Sequence, residues 1–409
     1  MTIKAATTNL NLSALDVKSL TTHRLKSLDI MRGLNLFLML FVNDLFEEGV
    51  PQWLVHSKKD FDGMGLADVV FPCFLFLVGL SIPFAFGRRL LTESKTHIAK
   101  HILIRTVSLL IIGVFMVNIN EYNEQLSGLN KYVWILAGSI SVFLIWNNYP
   151  DNRMLFKILR ISGVVTLIAV FFIYRGGSPD DISYIRTRWW GILGLIGWGY
   201  LVGAFTYLIF RDNILAILVS FLFFIGLNCL SQLKLLSFLH SVRPLFGVII
   251  SGIIPSMVLG GLLLGVVLRR YIGDAARFFK IAIPYGVFSI VLGFVFRHWF
   301  IISKDHGTPS WGFICLGISV LVYVLIYFLV EAKKGISWAN IFIPAGRNSL
   351  TTYLFPDIIY YLTWSIGLPL FFYKQTNSQL LAVAGSLLWA FLMIRLTPFL
   401  IRKHIQLKL

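Results

Sequence analysis

Apolar runs long enough to cross a bilayer recur from one end of the chain to the other, and no other feature narrows the possible folds so far. A helix spanning the hydrocarbon core needs about 20 residues. Twelve candidate runs are read, at approximately 30–46, 69–87, 102–118, 132–147, 155–174, 190–210, 214–230, 245–268, 281–300, 312–330, 348–366 and 379–400. The gaps between them are too short to hold a soluble domain. The expected architecture is therefore an all-α polytopic membrane protein of 11–12 helices. It has a polar segment at 1–29, one membrane domain at 30–400 and a tail at 401–409. Composition agrees, with 57% hydrophobic and only 13% charged residues, about half the charge of a soluble domain.

The 36 Lys and Arg against 19 Asp and Glu would suit a nucleic-acid partner if they formed one patch. They lie instead in short clusters between apolar runs, where they set topology. With the N-terminus placed in the cytoplasm, 25 of the 36 fall on the cytoplasmic side and 7 of the 19 acids accompany them. Both termini are therefore expected in the cytoplasm, and the 47–68 loop on the opposite side. The first apolar run carries Arg32 and Asn43, unlike a cleavable signal sequence. Cys73, Cys229 and Cys315 lie in apolar stretches, with neither a disulfide framework nor metal spacing. Gly191, Gly194, Gly197 and Gly199, and the pair Gly261 and Gly265, read as close-packing positions between helices.

Ionisable groups at membrane depth are costly and mark function by default. Asp29 and Arg32 share a face at the start of the first helix. They read equally as an ion pair fixing the helix end or as Arg32 free to hold a phosphate or carboxylate. Asn43 lies toward the far end of that helix. His56 follows on the loop, with Asp60, Asp62 and Asp68 near it in sequence. A carboxylate that orients an imidazole is what a general base requires, whereas a lone loop histidine is more often incidental. His97 and His101 are spaced i,i+4 without the metalloprotease glutamate. His298 and His306 flank the loop running from Ser303 through Lys304 to Trp311, on the same side as His56, so two loops are positioned to close over one site. Arg347, Asn348 and Ser349 open the eleventh helix, and a helix start beside an arginine suits a phosphate. Asp357, after Pro356 within that helix, fits a transporter's coupling acid as well as a paired acid at a kink.

The first two helices carry a pattern that resembles a known family. Arg24, Asp29, Arg32 and Gly33, the Phe41-Val42-Asn43 end of the first helix, His56, and the motif Ala67-Asp68-Val69-Val70-Phe71-Pro72 resemble the heparan-α-glucosaminide N-acetyltransferase family and its bacterial relatives. The likeness is dense over 24–83. It is thinner at Lys304–Trp311 and Gly346–Leu350, and between about 120 and 240 little matches beyond hydropathy. Two extra residues separate His56 from the motif, Asp62-Gly63 stands where a Trp-Asn-Gly stretch is found, and the large luminal insertions of the animal enzyme are missing.

The resemblance implies a membrane enzyme, usually dimeric, that takes acetyl-CoA from the cytoplasm and acetylates an amine of a glucosamine-type sugar across the bilayer. His56 is then the general base or acetyl carrier, Asn43 a donor to the thioester oxygen and Asp68 the group that orients His56. Arg32, Arg347, Asn348 and Ser349 would hold the CoA nucleotide. Lys304, Asp62 and Trp311 would hold the acceptor. The short loops suit a bacterial inner membrane, and no nucleic acid or metal is expected. The competing expectation is a transporter or flippase for a sugar or lipid-linked sugar, working through Asp357 and His298.

Overall fold

The computed structural model describes residues 25–45, 50–151, 153–333, 335, 337–368 and 378–409. The expected polar segment at 1–29 therefore lies, up to residue 24, outside the described residues. In chain order the helices are α1 (Lys26–Asp44), α2 (Leu66–Thr92), α3 (Lys95–Asn118), α4 (Glu124–Ser127), α5 (Lys131–Trp146), α6 (Met154–Ile173), α7 (Gly191–Phe210), α8 (Ile214–Gln232), α9 (Arg243–Ser251), α10 (Ile253–Arg270), α11 (Ala275–Phe296), α12 (Pro309–Tyr327), α13 (Ile343–Arg347), α14 (Ser349–Ser365) and α15 (Gln379–Arg402). One two-stranded hairpin, β1 (Gly176–Ser178) with β2 (Asp181–Ser183), lies between α6 and α7. Each of the twelve apolar runs falls on helix, and nine helical segments among the described residues are long and apolar enough to cross a membrane. The chain is an all-α polytopic membrane protein.

Continuous helix is what such runs must form in lipid, because every backbone N–H and C=O has to be satisfied within the segment. One run departs from a single helix. The 245–268 stretch is broken at Gly252, whose φ of 73° ends α9 and starts α10. A Cβ there would overlap the Phe224 carbonyl oxygen of α8, so glycine supplies both the left-handed turn and the space.

Helix α10 is buried along most of its length, with Val258, Leu259, Leu262 and Leu268 fully enclosed. It packs against α2 through glycines on both sides. A Cβ on Gly79 would overlap the Val258 carbonyl oxygen, and one on Gly261 would overlap that of Phe76. Close backbone approach of this kind lets membrane helices gain dispersion contact where no hydrophobic effect drives them together. Outward faces of α6, α8 and α11 expose Phe172, Phe223 and Phe288, as helices bordering lipid do.

Helix α1 runs beside α2 and also contacts α12 and α13. A Cβ on Gly346 would overlap the Asp29 carbonyl oxygen, and one on Gly33 would overlap that of Phe342. These two glycines bring Arg347, one residue after Gly346, against the start of α1. Along the eleven residues from Arg32 to Asn43, α1 rises about 16 Å. That rise separates two cavities.

Candidate active site

The loop between α1 and α2 doubles back onto the start of α2. Helix N-termini carry unsatisfied N–H groups, and here the loop takes them up. Leu66 N–H donates to the Trp53 carbonyl at 2.7 Å and Ala67 N–H to that of Leu54 at 3.2 Å. Leu54 and Val55 are buried beneath this turn. Gly65 admits it, since a Cβ there would overlap the Val55 carbonyl oxygen.

The doubled loop sets His56 on Asp68, in the first turn of α2. His56 Nδ1 is 2.7 Å from Asp68 Oδ1, and Asp68 Oδ2 accepts the N–H groups of Ser57 and Gly65, each at 3.0 Å. Asp68 is 1% exposed and His56 37%, so the carboxylate is fixed while the imidazole reaches a free space. An ionised carboxylate only accepts, so the Nδ1 nitrogen donates and the Nε2 lone pair points away from Asp68. Lys304 Nζ lies 3.2 Å from Nε2 and 3.0 Å from Nδ1. Trp311 of α12, itself buried, donates its indole N–H to the Asp68 carbonyl at 3.1 Å.

Two loops meet over this cluster. Asp62 Oδ1 accepts the Ile302 N–H at 2.8 Å and Oδ2 accepts Arg297 Nε at 2.9 Å. Ser303 donates to the Lys59 carbonyl at 3.0 Å, and His306 Nε2 is 3.0 Å from Asp60 Oδ1. Asp62 is thus the fastener between loops and does not line the cavity under His56, contrary to its expected place at the acceptor. The Ile302 N–H is the largest influence on its carboxyl; slight burial opposes it and the Arg297 guanidinium reinforces it, so the group titrates below its ordinary value of 3.8. A depressed carboxyl adds stability that is complete above the ordinary value and lost as pH falls through the folded one. The Ile302 amide should therefore lose hydrogen-exchange protection, corrected for intrinsic rate, as pH drops below about 4. Asp62→Ala should remove that protection at neutral pH, and unchanged protection in the variant would sink the fastener role.

The cavity under His56 has a volume of about 500 Å³ and is lined by Met39, Asn43, His56, Trp189, Ile192, Lys304, Asp305 and Trp311. Asn43 is exposed to it. A second cavity of about 450 Å³ is lined by Arg32, Met39, Arg89, His101, Arg105, Ile192, Arg347, Asn348, Ser349 and Lys408. Met39 and Ile192 line both, so a His56 chamber and a basic chamber adjoin at these two apolar side chains.

In the basic chamber Asp29, 2% exposed, ties the arginines together, 3.7 Å from Arg32 and 3.1 Å from Arg347. The ion pair and the anion site are therefore not exclusive here: the carboxylate orients both guanidinium groups beside the space. Asn348 is committed to the protein, donating to the Pro344 carbonyl at 2.8 Å and accepting Gln406 Nε2 at 2.6 Å. Ser349 donates to the Gly346 carbonyl at 3.0 Å. Arg89, His101, Arg105 and Lys408 complete the wall, with the Arg105 guanidinium 4.7 Å from the Tyr200 ring centre.

Other candidates lie elsewhere. Asp357 lines a crevice of about 10 Å³ against Ile112, Phe115 and Phe143, room for about one water. His298 is exposed and stacked edge-on with Trp299. The sequence reading also passed over Asp44, which is buried and accepts the Tyr360 hydroxyl at 2.6 Å. An acid next to Asn43 in an apolar run was the available signal.

Fold and site together define a polytopic membrane protein with a histidine–carboxylate pair over one cavity and an arginine-lined cavity behind it. A family described as Domain of unknown function (DUF5009) matches residues 24–227. The chain is 36% identical over 142 residues to mouse heparan-alpha-glucosaminide N-acetyltransferase, covering 32% of this chain and 21% of that protein. It is 37% identical over 98 residues to the human protein of the same name, covering 24% of this chain and 14% of that one. The chain is related to these proteins, and the likeness spans about a fifth or less of their length.

Proposed function

We propose that the protein transfers an acetyl group from acetyl-CoA to the amine of a glucosamine-type sugar across a membrane. The observation that carries this reading is the Asp68–His56–Lys304 cluster at a cavity that shares the Met39 and Ile192 wall with an arginine-lined one. The names of the mouse and human relatives favour an N-acetyltransferase acting on glucosamine.

The nucleotide of acetyl-CoA suits the basic chamber, where Arg32, Arg89, Arg105 and Arg347 offer planar donors to phosphate. On the positive-inside rule this chamber faces the cytoplasm, and the short loops suit a bacterial inner membrane. The thin acyl arm then passes Met39 and Ile192 toward His56. The acceptor nitrogen attacks the thioester carbonyl carbon, the C–S bond breaks, and an amide C–N bond forms. His56 Nε2 takes the amine proton and returns it to the departing thiolate, so the products are the N-acetyl sugar and CoA thiol. Asp68 holds the Nδ1 proton, fixing the tautomer that this step requires. Asn43 and Lys304 line the space where charge develops on the thioester oxygen and supply donors to it. In the alternative covalent route, Nε2 itself accepts the acetyl group and passes it to the amine.

Purified protein in detergent should release thiol from acetyl-CoA, and glucosamine should raise the rate and yield N-acetylglucosamine. A folded preparation that releases no thiol with any amino sugar would overturn the reading.

A further inference from the structure

We propose that Trp189 and Asp305 form the acceptor subsite, the indole carrying a sugar ring and the carboxylate holding its ammonium group before transfer. The inference rests on the acetyltransferase reading and names how its second substrate is recognised.

Trp189 and Asp305 line the same cavity as His56 and Lys304. Trp189 is a large apolar side chain, 54% exposed, in that position. Its neighbours are held in an unusual backbone: Arg188 has φ 49° and Trp190 has φ 71°. Left-handed conformations cost energy in residues other than glycine, persist only where surrounding contacts enforce them, and gather at functional sites. The enforcing contacts are present. The Arg188 guanidinium pairs with both Glu121 carboxylate oxygens, and its Nε donates to Asn118 Oδ1 at 3.3 Å. Trp190 is buried, its backbone N–H donating to the Thr187 carbonyl at 2.7 Å and its indole N–H to that of Leu245 at 3.1 Å. A strained turn clamped on both sides thus displays the one residue between, toward the cavity.

Asp305 is placed in a similar way. Its neighbours are engaged, Lys304 with His56 and His306 with Asp60, while Asp305 is exposed and makes no hydrogen bond or ion pair among the described residues. Among the described residues it is the only carboxylate lining this cavity. Asp60, Asp62 and Asp68, which the sequence also places near His56, are occupied by His306, Arg297 and His56. An unpaired carboxylate and an aromatic face lining one cavity with a base match a ligand that is cationic at one end and an apolar ring face at the other. A protonated amino sugar has both; it releases its extra proton to solvent to become the free amine, and the second proton, lost as the C–N bond forms, is the one His56 takes.

The experiment measures acceptor kinetics with glucosamine and acetyl-CoA, and glucosamine and glucose binding by saturation-transfer NMR on the intact protein. Trp189→Ala should raise the KM for glucosamine about tenfold, on the scale of one lost ring contact, leave the KM for acetyl-CoA unchanged, and weaken both sugars in the NMR. Trp189→Phe should restore most of the loss. Asp305→Asn should weaken glucosamine and not glucose, with an effect that fades at high salt. Because the NMR readout does not need turnover, absent thiol release would defeat the acetyltransferase reading without touching the subsite. Unchanged glucosamine binding and KM in Trp189→Ala and Asp305→Asn would overturn the subsite and leave Trp189 an aromatic of the bilayer interface.

Discussion

His56→Ala is expected to lower acceptor-dependent thiol release from acetyl-CoA by about 10²–10⁴-fold, the usual worth of a positioned general base. Acetyl-CoA binding should hardly change, because Arg32, Arg89, Arg105 and Arg347 line the other chamber, which His56 does not. The loss should therefore fall on kcat. The fold should also survive: His56 is partly exposed, and the loop under it is held by the Leu66 and Ala67 backbone bonds rather than by the imidazole. Size-exclusion behaviour and thermal stability of the variant check this. The wild type also separates the two chemical routes. A burst of thiol equal to the enzyme concentration, seen without acceptor and absent from His56→Ala, identifies acetyl-His56. Release that waits for the amine identifies direct transfer. An active His56→Ala would remove the histidine from the mechanism.

How much of this was legible beforehand depends on the distance over which each feature is encoded. The helices were legible because hydropathy is local, and all twelve expected runs fall on helix. The break at Gly252 was not, since a glycine in an apolar run reads as a packing position until the Phe224 carbonyl oxygen is seen beside it. His56 and Asp68 are twelve residues apart, close enough for a loop and a first helical turn to suggest the pair. The approach of Lys304 to His56 spans 248 residues; the shared side of the two loops and the resemblance at Lys304–Trp311 were the hints of it. Arg347 and Asp29, 318 residues apart, were both singled out, yet nothing local joined them. That join is made by Gly346 against α1. Arg89 and Arg105 stand in basic clusters between apolar runs, and the same charge can set orientation and line a chamber. The resemblance put Asp62 and Trp311 at the acceptor. Trp311 does line the cavity under His56, with its indole N–H turned to the Asp68 carbonyl, whereas Asp62 is turned to Arg297. For polar residues in short loops, proximity in sequence does not fix the direction a side chain takes.

That limit makes Asp68 the sharper test of mechanism. Asp68→Asn keeps the shape and removes one acceptor oxygen. Oδ1 faces the His56 Nδ1 proton and Oδ2 faces two N–H donors, from Ser57 and Gly65. An asparagine cannot satisfy all three. With its NH2 toward Ser57 and Gly65, donor meets donor and the start of α2 is uncapped, at a cost of about 1–3 kcal/mol for buried donors left unpaired. With its NH2 toward His56, the imidazole is forced to place its proton on Nε2, where it can neither take a proton from the amine nor accept an acetyl group. Activity should then fall about 10⁴-fold, the scale reported for a base locked in the wrong tautomer. The measurement is kcat and KM beside the melting temperature. A fall in kcat at nearly constant stability identifies the tautomer block, whereas a large drop in stability with proportionate loss of active protein identifies the cap. Full activity in a stable Asp68→Asn protein would show that the orientation of His56 is irrelevant to the reaction, and the general-base and acetyl-carrier routes would fall together, since both need Nε2 free.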